Sequence, residues 1–179
     1  MKFCSSCASP ITLVIPDGDN RERFVCESCE TIHYQNPRII TGCLPVWQDQ
    51  VLLCSRAIAP RVGYWTLPAG FLENRESVAD GAKRETLEEA HARVANLSLY
   101  TVFSLPHISQ VYTFYLAELE DLDFKAGEES LDVQLFKESE IPWDNLAFPV
   151  ISQSLKHYFK DRISGVFPTR YSEIDLSRR

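Results

Sequence analysis

Gly70-Phe71-Leu72-Glu73-Asn74-Arg75-Glu76-Ser77-Val78-Ala79-Asp80-Gly81-Ala82-Lys83-Arg84-Glu85-Thr86-Leu87-Glu88-Glu89-Ala90-His91-Ala92 is the stretch on which the reading of this chain turns. Glu85, Glu88 and Glu89 stand at i, i+3 and i+4, so on a helix all three carboxylates project from one face. Like charges on adjacent turns repel. A divalent cation reverses that balance, because Mg²⁺ or Mn²⁺ favours hard oxygen ligands. The alternative is a solvated acidic helix face. Ser77 followed by Asp80 predicts a capped helix start near residue 78. Ala79, Ala82, Thr86 and Ala90 give the helix a second face of small side chains suited to close packing on a sheet. Gly81 inside the helix costs about 1 kcal/mol relative to Ala, which points to tight backbone packing there.

The spacing extends the argument. Gly70, five residues, Glu76, seven residues, then Arg84-Glu85-x-x-Glu88-Glu89 resembles the box of the Nudix hydrolases, whose form is Gly-x5-Glu-x7-Arg-Glu-U-x-Glu-Glu-x-Gly-U with U aliphatic. Thr86 departs from the first aliphatic position and His91 from the second Gly. His91 falls where a left-handed residue ends the helix, a conformation His tolerates better than most side chains. The resemblance implies an α/β fold, a Nudix α/β/α sandwich with a mixed sheet. It also implies that Glu85, Glu88 and Glu89 bind catalytic Mg²⁺ or Mn²⁺, joined by a backbone carbonyl of the preceding loop, here Ala69. Gly70, Glu76 and Arg84 are then scaffold, with Glu76 paired to Arg84 bidentately.

At the N-terminus, Cys4-x2-Cys7 and Cys26-x2-Cys29 are separated by eighteen residues. Paired knuckles at this spacing read as a tetrahedral Cys4 site for structural Zn²⁺. Two disulfides are the alternative, disfavoured in a reducing compartment and with no leader-like apolar run before Cys4. Pro16-Asp17-Gly18-Asp19-Asn20 reads as a turn between short strands. Some thirty residues bury too little core to fold unaided, so the metal is expected to supply folding energy. The expected organisation is a zinc ribbon over 1–35, a Nudix domain over 36–163 and a C-terminal tail over 164–179.

The chain has 179 residues, 45% of them hydrophobic, and a net charge of −7. No apolar run reaches the roughly 18 residues that cross a membrane, and a cytoplasmic location is the expectation. The acidic balance argues against nucleic acid as main partner. Within the ribbon, Arg21 and Arg23 face Asp17, Asp19, Glu22 and Glu27. Cys43 and Cys54 sit in apolar runs and read as small buried residues. Residues 39–46 and 51–55 read as a hairpin, 94–104, 111–119 and 131–137 as strands, and 150–159 as a helix.

Further segments widen the resemblance to the ribbon-bearing Nudix subgroup of FAD and ADP-ribose pyrophosphatases. They are His33-Tyr34-Gln35-Asn36-Pro37, Trp65-Thr66-Leu67-Pro68-Ala69-Gly70, Ile108-Ser109-Gln110-Val111-Tyr112, Gly127-Glu128-Glu129-Ser130 and Glu140-Ile141-Pro142-Trp143. Ser104-Leu105-Pro106-His107-Ile108 stands where NADH pyrophosphatases carry Ser-Gln-Pro-Trp-Pro-Phe-Pro, which ranks NADH behind FAD and ADP-ribose. The implied reaction is metal-dependent hydrolysis of the pyrophosphate in a nucleoside diphosphate linked to another moiety, releasing AMP. Either Glu88 or Glu129 accepts the proton of the attacking water. Arg56 is the candidate phosphate contact, with Tyr64, Trp65 and Phe103 as candidate stacking residues. A homodimer is the default assembly. The alternatives are an NADH pyrophosphatase, a triphosphate-cleaning pyrophosphatase and a catalytically silent nucleotide-sensing module.

Overall fold

The structure, a computed structural model, describes residues 1–175. The chain divides into two compact units, Met1–Pro37 and the residues from Arg38 onward.

In the first unit, β1 (Thr12–Val14), β2 (Arg23–Val25) and β3 (Ile32–His33) form an antiparallel sheet in that order. The turn between β1 and β2 is fixed by its own polar groups. The Asp19 N–H donates to the Pro16 carbonyl at 3.0 Å, and Gly18 takes the positive φ the turn requires. The Asp19 carboxylate then accepts from the Asn20 and Arg21 N–H groups and from Arg23 Nε. These contacts hold Asp19 below its ordinary pKa, the Arg23 hydrogen bond contributing most.

The second unit contains β4 (Arg38–Trp47), β5 (Gln50–Arg56), β6 (Trp65–Thr66), β7 (Ala69–Phe71), α1 (Val78–Ala90), β8 (Val94–Leu105), β9 (Gln110–Leu119), β10 (Ser130–Lys137), α2 (Pro149–Asp161) and β11 (Arg170–Glu173). Its main sheet runs β10-β5-β4-β9-β8-β11, with β6 added on β5 and β7 on β4. The β4–β9 and β8–β11 pairs are parallel and the others antiparallel, which makes the sheet mixed.

Period-2 alternation assigns the two faces. Cys43, Leu52, Cys54, Ala117 and Val133 pack with Ala82 and Ala90 of α1. Leu44, Val51, Leu53, Tyr100, Phe103 and Phe114 pack with Val150, Ile151, Leu155 and Phe159 of α2. The result is the expected Nudix α/β fold, a mixed sheet between two helices.

The small-residue face of α1 explains its position. A Cβ on Gly81 would stand 2.9 Å from Thr41 Cγ2, so the helix lies closer to β4 than a side chain would allow. Thr41 Oγ1 donates to the Val78 carbonyl at 2.8 Å, tying strand to helix. Thr86, fully buried, donates its hydroxyl to the Ala82 carbonyl one turn back at 2.8 Å. Its departure from an aliphatic residue therefore leaves no buried donor unsatisfied.

The stretch from residue 164, read in the sequence as a tail, carries β11 along the edge of β8. Residues 176–179 of that stretch lie outside the described residues. Three contacts place β11: the Thr169 hydroxyl on the Leu99 carbonyl, the Ile174 N–H on the Ser104 carbonyl, and Arg170 on the Asp161 carboxylate at 2.7 Å. Asp161, buried in α2, also accepts from the Tyr100 hydroxyl at 2.8 Å. The β8 partners Leu99 and Ser104 are some seventy residues away, so local periodicity gave no warning of the strand.

Candidate active site

The N-terminal cysteines are the first site to assemble. Among the described residues they form the group of His, Cys, Asp or Glu side chains whose ligand atoms all lie within 4.8 Å of one another. Cys4 and Cys29 sulfurs are 3.6 Å apart, and those of Cys7 and Cys26 are 3.4 Å apart. Four thiolates on tetrahedral zinc at about 2.3 Å would be separated by roughly 3.8 Å, so the donor set fits the ion. All four are free thiols, none in a disulfide. Burial pushes the Cys4 thiol up, but N–H donors of Ser6 and Cys7 and a contact with His33 outweigh it and bring it to about 5. A thiolate is the form that ligates metal.

The acidic helix face forms the second. Ser77 caps α1, its hydroxyl accepting from the Asp80 N–H at 3.1 Å. At the other end His91 is left-handed, with φ 50° and ψ 24°, and its N–H closes on the Leu87 and Thr86 carbonyls. Glu85 and Glu89 are nearly buried, at 9% and 7% exposure, while Glu88 is exposed.

Arg84 organises this face. Its Nε and Nη2 grip the two Glu76 oxygens at 3.0 and 2.7 Å, and Nη2 also reaches the Phe71 carbonyl. Its Nη1 donates to Glu85 at 2.7 Å and to Glu88 at 2.9 Å. The Arg84 guanidinium holds the Glu76 carboxyl down at about 2. Gly70 is required by the same packing, since a Cβ there would stand 2.4 Å from the Glu85 carboxylate.

Ala69 is tied to this face through its backbone. Its N–H donates to Glu89 Oε2 at 3.1 Å. Arg84 thus draws Glu85 and Glu88 together while Ala69 takes Glu89, and the three carboxylates do not form one close cluster. Burial, the dominant cause, lifts the Glu89 carboxyl to about 8; the Ala69 N–H and Arg56 oppose it, and the charges of Glu85 and Glu129 add to it. Glu85 is also raised, chiefly by burial, against the pull of Arg84. A buried carboxylate among carboxylates needs either a proton or a cation beside it. The residues therefore fit a divalent ion, which would compete with Arg84 for Glu85 and Glu88.

These groups line a cleft of about 950 Å³. Glu73, Glu85, Glu88, Glu89, Glu128 and Glu129 supply acid, and Tyr112, Phe114 and Phe148 supply aromatic wall. Arg56 is on the wall too, its guanidinium 5.3 Å from the centre of the Phe148 ring and its Nε donating to the Pro60 carbonyl. The three aromatics expected to stack on substrate are elsewhere. Phe103 is 1% exposed in the core under α2. Trp65 packs edge-on against Phe136 at 4.8 Å between ring centres, and Tyr64 lies beneath the Arg61 guanidinium. The cleft is lined instead by Tyr112 and Phe148, which sequence reasoning left unassigned. The signal available was register: Tyr112 is the cross-strand partner of Phe103 and one step nearer the β4 side of the sheet.

Comparison with known proteins agrees with this geometry. The Nudix N-terminal family matches residues 2–35, and the NUDIX domain family matches residues 36–157. Among solved structures the chain is similar to a NUDIX hydrolase from Nitrosomonas europaea, at 56% identity and a TM-score of 0.94, covering 98% of this chain and 99% of that one. An ADP-ribose pyrophosphatase from Streptococcus suis shares the fold, at 21% identity and a TM-score of 0.64, covering 76% of this chain and 100% of that one. Among curated proteins it is similar to the NAD-capped RNA hydrolase NudC of Chromobacterium violaceum, 29% identical over 165 residues. The match covers 90% of this chain and 59% of that protein. The NudC of Photobacterium profundum is 28% identical over 144 residues, covering 78% of this chain and 51% of that protein. The chain thus spans little more than half the length of these curated relatives. With a box helix in register, a second unit matching the NUDIX domain and an N-terminal unit matching the Nudix N-terminal family, the chain belongs to the Nudix family.

Proposed function

We propose that the enzyme hydrolyses the pyrophosphate bond of a nucleoside diphosphate linked to another moiety, with FAD or ADP-ribose as preferred substrate and AMP as one product. The observation that carries this reading is the cleft itself, where a row of carboxylates and an aromatic wall face one volume of about 950 Å³. A cleft of this size is at the upper end for small-molecule sites and suits a two-part ligand. Aromatic faces such as Tyr112 or Phe148 can stack a planar ring, worth about 1–3 kcal/mol for a base. Arg56, which lines the same cleft, would meet a phosphate oxygen as a fixed positive charge.

In this reading Glu85, Glu88 and Glu89 would hold Mg²⁺ or Mn²⁺, joined by the Ala69 carbonyl. A divalent ion held there would supply neutralisation of the diphosphate charge and a lowered pKa for an attacking water. Water oxygen adds to one phosphorus, the bridging P–O bond breaks, and the proton passes to Glu88 or Glu129. FAD would give FMN and AMP; ADP-ribose would give AMP and ribose 5-phosphate. The ribbon carries one structural Zn²⁺ in the same proposal, and the working assembly is a homodimer.

A second reading is hydrolysis of an NAD-type dinucleotide, supported by the names of the curated relatives at 25–29% identity. Product chromatography over FAD, ADP-ribose, NADH, NAD⁺ and common triphosphates separates these readings. FAD or ADP-ribose is expected to give the highest kcat/KM. NADH above both would favour the second reading, and a triphosphate ahead by tenfold would overturn both.

A further inference from the structure

The C-terminal end of α1 poses a question that its own cap does not answer. His91 and Ala92 N–H groups serve the Leu87 and Thr86 carbonyls. That leaves the carbonyls of Glu88, Glu89 and Ala90, the last two of which are satisfied from outside the helix. The donors come from the loop before β10. Lys125 N–H donates to the Ala90 carbonyl at 2.9 Å and Gly127 N–H to the Glu89 carbonyl at 3.0 Å.

At Gly127 the loop lies directly on the helix backbone. A Cβ there would stand 1.8 Å from the Glu88 carbonyl oxygen, where contacts under 3.0 Å do not occur. The obstacle is backbone and cannot swing aside, so a side chain at 127 would push the loop off by about 1 Å or more. Two residues on, the Glu129 carbonyl accepts the Ala57 N–H at 2.8 Å, next to Arg56. The same short loop therefore touches the carboxylate-bearing helix at one end and the Arg56 strand end at the other. The side chains of Glu128 and Glu129 between these anchors line the cleft.

We infer that Gly127 is a positioning residue: by docking its bare backbone on the Glu88 and Glu89 carbonyls, it sets the Glu129 carboxylate at its working distance from the acidic face of α1. The inference rests on the hydrolase reading given above. A displacement of about 1 Å in a reacting constellation can cost on the order of 10²-fold in rate. The effect belongs in kcat, because the aromatic wall and Arg56 are left in place.

The test is steady-state kinetics of wild type, Gly127→Ala, Glu129→Gln and the double variant, on whichever of FAD or ADP-ribose the wild type turns over faster. Gly127→Ala is expected to lose on the order of 10²-fold in kcat with KM little changed. The double variant should be no slower than the slower single one, because both changes remove one contribution. A Gly127→Ala enzyme with wild-type kcat would overturn the inference. So would a double variant whose loss is the product of the two single losses. Should Gly127→Ala fail to fold, hydrogen exchange of the wild type decides: the Lys125 and Gly127 amides must exchange much more slowly than those of Ala126 and Glu128. Equal exchange would remove the clamp. If the wild type hydrolyses no substrate in the panel, the hydrolase reading fails on its own, and slow exchange at Gly127 would still report the docking.

Discussion

The buried Glu89 carboxylate receives its hydrogen bond from the Ala69 backbone N–H, 3.1 Å away across the strand-to-helix connection that the box encodes. The donor ties β7 to the last turn of α1 and gives one carboxylate oxygen a fixed direction. It does not neutralise the charge. Burial above all, with Glu85 and Glu129 adding negative potential, lifts Glu89 to about 8.

This shift makes metal-free stability depend on pH with a definite sign. The folded pKa lies above the unfolded value near 4.5, so the native state binds the extra proton between those limits. Stability from this group is present below about 4.5 and is lost as pH rises through about 8. In EDTA the Tm should fall between pH 5 and pH 8.5, and Glu89→Gln should flatten that fall. Added Mn²⁺ should restore wild-type Tm at the alkaline end. Parallel pH profiles for variant and wild type would remove Glu89 as the cause.

Glu76 has the opposite sign. Arg84 holds it at about 2, so its contribution is present above the unfolded value and lost as pH drops through about 2. Glu76→Gln should lower Tm at pH 7, and the deficit should shrink on acidification toward pH 2. Its kcat should fall less than that of Glu88→Gln, since Glu76 braces loop to helix. A deficit independent of pH would mean that shape, not charge, is lost.

For the ribbon, elemental analysis of protein purified without added metal should give close to one zinc per chain. Cys26→Ser should release it, and amides in β1–β3 should then exchange faster while those in β4, β8 and β9 keep their protection. Metal supplies the folding energy of so small a unit. Zinc-free native protein with intact thiols would rule the centre out.

Much of this site was legible because the residues that carry it are local. Ser77, Gly81, Arg84, the three glutamates and His91 lie within a single helix and its caps, where i, i+3 and i+4 geometry converts sequence directly into space. The cysteine knuckles are legible for the same reason. Legibility ends where packing of distant segments decides. Phe103 and Tyr112 are neighbours in register, yet α2 covers the first and leaves the second on the cleft. Trp65 turns to Phe136 because β6 and β10 both pair with β5. β11 exists only because the β8 edge and the Asp161 carboxylate await it.

The substrate assignment makes a prediction for the aromatic wall. Tyr112→Ala should raise KM for FAD or ADP-ribose by roughly 5- to 150-fold, corresponding to about 1–3 kcal/mol of lost stacking, with kcat less affected. Phe103→Ala should instead lower Tm, since a buried Phe→Ala change costs about 3–5 kcal/mol. A Tyr112 variant with unchanged KM would move the ring-binding surface elsewhere, with Phe148 the next to test.

The central claim is that the carboxylates of α1 perform metal-dependent hydrolysis, and its most direct measurement is kcat of Glu88→Gln and Glu89→Gln against wild type with saturating Mg²⁺. Each variant should lose at least about 10²-fold, on the order of 2.7 kcal/mol of transition-state stabilisation, with its circular dichroism unchanged, and EDTA should abolish wild-type turnover until Mg²⁺ or Mn²⁺ is returned. Either variant turning over at the wild-type rate would contradict that residue's role, and full activity in excess EDTA would contradict the account as a whole.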